Sequence, residues 1–107
     1  MIFSVEGEVW RLQFVNPKSE QLRRSDGSRT LGVTDDNLRT VFISDNLSED
    51  MIDKVLCHEL VHVFSFANDL VIPIEIEETI ANFMSQYGRS IIYLADTLMK
   101  DILERVA

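Results

Sequence analysis

Apolar and polar positions along the chain change their period near residue 46. Upstream the period is two: Trp10, Leu12 and Phe14 alternate with Val9, Arg11, Gln13 and Val15, the pattern of a half-buried strand, and Asn16-Pro17 ends it. Asp26-Gly27 has the chemistry of a tight hairpin turn, which would pair the segments around Leu22–Ser25 and Arg29–Thr34. A second turn is expected at Asp35-Asp36-Asn37. The β-branched and aromatic run Thr40–Ser44 then reads as another strand. Together these predict a small antiparallel β-meander between about residues 8 and 44.

Downstream the period is helical. Asn46 with Glu49 has the spacing of a capping box, and Glu49 and Asp50 place negative charge where a helix dipole favours it. Ile52, Val55, Leu56, Leu60, Val63, Phe64 and Ala67 recur at three and four, which predicts one helix running to about Asn68. Pro73 suits the start of a second helix striped by Ile76, Ile80, Phe83 and Tyr87, with Gly88 placed to end it. Ser90 would cap a third, whose broad apolar face includes Ile91, Leu94, Leu98, Ile102 and Val106. Core packing is the expected use of that face, and a homodimer through the C-terminal helix is the alternative. The expected class is α+β, a meander followed by three helices between about residues 47 and 106.

Length and composition narrow the function classes. With 107 residues, one domain over 1–107 is expected, and 46% hydrophobic residues suffice for a buried core. A net charge of −8 argues against nucleic acid or an anionic membrane as partner, because both reward a basic face. Cys57 is the only cysteine, so no intrachain disulfide forms, which suits a reducing compartment. Glu6 and Glu8 stand where a targeting segment would be basic, and no apolar run approaches the roughly 20 residues of a spanning helix. A cytoplasmic location is expected.

The candidate chemistry is concentrated in one string. The only two histidines, His58 and His62, flank Glu59 in HELVH, on the first predicted helix. Four residues on a helix bring side chains to one face, so both imidazoles can reach a single cation and the carboxylate can reach a water beside it. Shuffling the same composition produces this arrangement about once in 600 trials, so the motif is informative. The structural alternative is two histidines hydrogen-bonded or solvated on a helix flank. A catalytic zinc needs a third protein ligand. Glu75, Glu77 and Glu78 open the second helix, and Glu78 has Asn82 one turn on, where its amide can accept the outer N–H of a ligating imidazole. Glu77 points about 100° away from Glu78. Without the histidines the same cluster would read as a solvated helix N-terminus.

HELVH at 58–62 followed by ETIAN at 78–82 resembles the gluzincin metallopeptidases. The form E-x-x-A-N-x-F is most similar to the ImmA/IrrE-like peptidases of phages and mobile elements, and the short length resembles the single-domain minigluzincins. The resemblance covers about residues 29 to 88 and implies a zincin-like fold. It makes His58, His62 and Glu78 ligands of Zn²⁺, Glu59 the general base and Asn82 the partner that orients an imidazole. It also implies an edge strand, Leu31, Gly32, Val33 and Thr34, that binds the backbone of a peptide or protein substrate. Two features depart from the larger relatives: the linker between His62 and Glu78 is shorter, and no third histidine is present to hold an oxyanion. Tyr87, Tyr93 and Arg89 are the available substitutes. The implied function is a zinc-dependent metalloendopeptidase. A catalytically silent or latent protein-binding module on the same frame is the alternative, favoured by the missing oxyanion donor and the broad C-terminal stripe.

Overall fold

Strand β4 (Thr40–Ser44) is buried at all five positions and forms the centre of the molecule, as its unbroken β-branched and aromatic run requires. The computed structural model describes residues 1–106. Around β4 a four-stranded sheet forms in the order β1-β2-β4-β3, with β1 at Ile2–Val5, β2 at Glu8–Val15 and β3 at Gly32–Asp35. β1 was not legible as a strand. It pairs antiparallel with β2 through a turn at Glu6 and Gly7, both at positive φ (52° and 78°).

The sheet is mixed, which corrects the expected antiparallel meander. β2 pairs with β4 in parallel, from Arg11 opposite Thr40 to Val15 opposite Ser44, while β3 pairs antiparallel with β4. The reason is the length of the connection. Residues 16–31 carry the chain past β4, so β3 forms the far edge and β4 returns between β3 and β2. The turn at Asp26-Gly27 is present, with Gly27 at φ 86° and Asp26 Oδ1 accepting from the Ser28 backbone N–H at 2.9 Å. Its arms, however, meet only at the single bridge Arg23–Arg29. They bury one apolar side chain, Leu22, in a short 3₁₀ turn (Glu20–Leu22), too little to hold a full ladder.

Helix α1 (Glu49–Ala67) ends at the expected place, with Asn68 as its C-cap. Its N-cap is Ser48, whose hydroxyl accepts from the Met51 N–H, and Asn46 instead accepts from the Ser44 hydroxyl at 2.6 Å. Val63 of α1 joins Val5, Trp10, Val41 and Ile43 in the core, with Leu56 and Leu60 packed against them. The Trp10 indole N–H is buried without a hydrogen-bond partner among the described residues, and the Arg39 guanidinium sits 5.5 Å from its ring.

The C-terminal part holds one rod where two helices were expected. α2 (Ile74–Phe83), a π turn (Met84–Gly88) and α3 (Arg89–Val106) follow without a break. Gly88 lies inside the π turn and does not adopt the left-handed conformation of a helix terminator. Ser90 is accordingly inside the rod. No residue of α3 is buried, so its apolar face is not core. No helix among the described residues is long and apolar enough to cross a membrane.

Candidate metal centre

Three elements converge on the HELVH string. α1 presents His58 and His62 one turn apart, with ring centroids 5.2 Å apart. The first turns of α2 bring Glu78 to them: Oε2 lies 3.2 Å from His58 Nε2 and Oε1 lies 2.8 Å from His62 Nε2. One ligand atom from each of the three side chains falls within 4.8 Å of the others. Donors bound tetrahedrally at about 2.0–2.1 Å stand roughly 3.4 Å apart, so these separations suit a single small divalent ion. The donor set, two imidazoles and a carboxylate, fits a divalent ion such as zinc.

The partner of the second imidazole is not Asn82. Asn82 is exposed and makes no hydrogen bond to either ring among the described residues; its backbone carbonyl accepts from the Ser85 hydroxyl. Glu77 does this work instead. Its Oε1 lies 2.7 Å from His62 Nδ1 and accepts the N–H there, while Nε2 stands 2.8 Å from Glu78 Oε1. With a cation in place of a proton at Nε2, the Glu77 contact would orient the ring for ligation through that nitrogen. The Ser65 hydroxyl donates to Glu77 Oε2 at 3.0 Å, so the chain Ser65, Glu77, His62 is closed and buried. The 100° between Glu77 and Glu78 is what makes this possible: Glu78 turns to the inner nitrogens while Glu77 turns to the outer face of His62. The signal was the doubled glutamate, together with a serine three residues after His62.

Glu59 is 6% exposed and lies beside the cluster, its Oε2 3.9 Å from His58 Nε2. The Thr34 hydroxyl on β3 donates to Glu59 Oε1 at 2.8 Å. Burial pushes the Glu59 carboxyl above its ordinary value, and the Thr34 hydrogen bond and the two imidazoles oppose that rise. The strand can approach this closely because position 32 is glycine. A Cβ there would stand 2.6 Å from Val55 Cγ1 and 3.1 Å from Glu59 Cγ.

A cleft of about 990 Å³ runs past these groups. Leu31, which precedes β3, and Gly32, Val33 and Thr34 of β3 line it, so the edge strand begins one residue later than expected; Phe66, Leu70 and Ile74 also line it. None of the three candidate oxyanion donors lines it. Arg89 is bound to Asp53 through Nε at 2.8 and 2.9 Å, Tyr87 stacks at 5.2 Å on Phe83, and Tyr93 is 76% exposed. Cys57 is half-buried and is not among the grouped ligands. No family model, curated protein or solved structure matches this chain.

Proposed function

We propose that this chain is a zinc-dependent metalloendopeptidase of the gluzincin type, similar to the ImmA/IrrE-like peptidases, acting on a protein substrate laid along β3. The convergence of both Nε2 atoms on the Glu78 carboxylate, with the Glu59 carboxylate alongside, carries this reading. His58, His62 and Glu78 hold the ion, and bound zinc supplies a Lewis acid that polarises a carbonyl and makes water acidic. Glu59 takes the proton of the attacking water and passes it to the leaving amine. Thr34 occupies Oε1, which leaves Oε2 as the atom that carries the proton. β3 is a sheet edge along the cleft, so an extended peptide can add to it by main-chain hydrogen bonds, with Phe66, Leu70 and Ile74 of the lining available to its side chains. The reading brings with it a zincin-like frame and a cytoplasmic location.

The zinc-loaded protein is expected to cleave members of a peptide library, and Glu59→Gln to lower the rate by about 10²–10⁴-fold with zinc content unchanged. Undiminished cleavage by that variant excludes Glu59 as the base. One observation favours a second reading, a silent or latent protein-binding module of phage or mobile-element origin: no tyrosine or arginine offered as oxyanion donor lines the part of the cleft holding the ligands. Stoichiometric zinc with no cleavage of any peptide would select it.

A further inference from the structure

The cleft past the metal centre has two unlike ends. Gly32 abuts Val55, whereas Thr34, two residues on, bonds Glu59 one turn later, so β3 passes along α1 from its start toward its end. The chain that leads into β3 therefore stands beside the start of α1. Two cations line the cleft at that end. One is Lys54, a turn before His58 on α1, and the other is Arg24, whose guanidinium donates to the Thr30 hydroxyl at 3.3 Å. At the other end, beyond His62, the lining is apolar, with Phe66, Leu70 and Val71.

The ion pairing of the chain leaves the positive charge at this end free. Arg23, Arg39, Arg89 and Arg105 each sit against a carboxylate. Arg24 and Lys54 are exposed and form no ion pair among the described residues, although the chain has 18 acidic residues against 10 Lys and Arg. The other cations without an ion pair, Arg11, Lys18, Arg29 and Lys100, do not line the cleft.

We propose that the cleft selects peptides with a carboxylate C-terminal to the scissile bond, held between Arg24 and Lys54. The inference rests on the peptidase reading above and names its substrate class. Antiparallel pairing is the more stable way to add a strand, so a peptide laid on β3 runs opposite to it and its C-terminal part passes the two cations. Thr30 precedes Thr34 by roughly 13 Å of extended chain, and Lys54 lies about 6 Å along α1 from His58. Between these limits the carboxylate falls about two to four residues past the scissile bond. An Asp or Glu side chain or a chain terminus can supply it.

Cleavage of a random decapeptide library by the zinc-loaded full chain, with the products read by mass spectrometry, tests it. In C-terminally amidated peptides, Asp and Glu are expected to be enriched about two to four positions after the cut, by about three- to fivefold at low salt, as an exposed ion pair gives, and the enrichment is expected to fade at about 1 M salt. Enrichment only of cuts that distance before a free C-terminus supports the same pair of cations with the terminus as the ligand. Arg24→Glu combined with Lys54→Glu is expected to turn the preference toward Lys and Arg. Should that variant unfold, Lys54→Gln takes its place and is expected to lower the enrichment. If no peptide is cleaved, the peptidase reading fails, and retention of the library on the immobilised chain gives the readout, with the same carboxylate enrichment and the same reversal expected. Absence of carboxylate enrichment among cleaved and retained peptides alike, or a preference that survives the substitutions, overturns the proposal.

Discussion

At the scale of single residues, Glu77 is the most informative position in this chain. It is buried and shares its two oxygens between His62 and Ser65, so it holds the imidazole by Nδ1, the nitrogen turned away from Glu78. Removing such a partner typically weakens metal binding by 10–100-fold, so Glu77→Ala is expected to raise the zinc dissociation constant by about that factor. Asn82→Ala is expected to leave it unchanged, and zinc titration of both variants checks the assignment; equal losses would return the role to Asn82. Glu59 supplies a pH prediction. Burial favours its protonated form, so in the metal-free protein this carboxyl contributes stability below the ordinary glutamate pKa and loses it as pH rises through the higher folded value. Thr34→Val removes the hydrogen bond that opposes the rise and is expected to move the Glu59 titration of the metal-free protein further up, read by carboxyl NMR; an unmoved titration would detach Thr34 from Glu59.

At the scale of elements, the contact of β3 with α1 sets the cleft. Gly32→Ala would drive a methyl group into Val55, and overpacking of this kind costs about 1–3 kcal/mol. Urea unfolding is expected to show that loss, with partial recovery in Gly32→Ala combined with Val55→Ala. No loss would mean that the strand can withdraw freely. The elements also show what the chain's pattern discloses. α1 and β4 were legible to the residue or nearly so, because each has a strong period and local punctuation. The direction of β2 relative to β4 was not, since strand order depends on where residues 16–31 route the chain, and nothing in that stretch encodes it locally. A glycine stops a helix only when it takes up positive φ, and Gly88 is held inside a π turn instead. His58, Glu59, His62 and Glu78 could be found because helical spacing is local geometry. Glu77 could not be assigned, because its role depends on how α2 faces α1.

At the scale of the whole molecule, the chain divides its work between two ends. The sheet and α1 bury the core and hold one wall of the cleft, whereas the rod contributes Glu77 and Glu78 at its start and then extends beyond the body, giving overall dimensions of 56 × 31 × 28 Å. A zinc ion held by His58, His62 and Glu78, as proposed, would tie the rod to the core, and a stabilisation of about 2.7 kcal/mol is expected at a hundredfold excess over the dissociation constant. The most direct test is a zinc titration of chelator-treated protein beside its Glu78→Gln variant. One zinc per chain in the parent, with affinity lowered at least tenfold in the variant, is the predicted result. Absence of stoichiometric zinc binding in the parent, or equal affinity in the two, would contradict the metal centre.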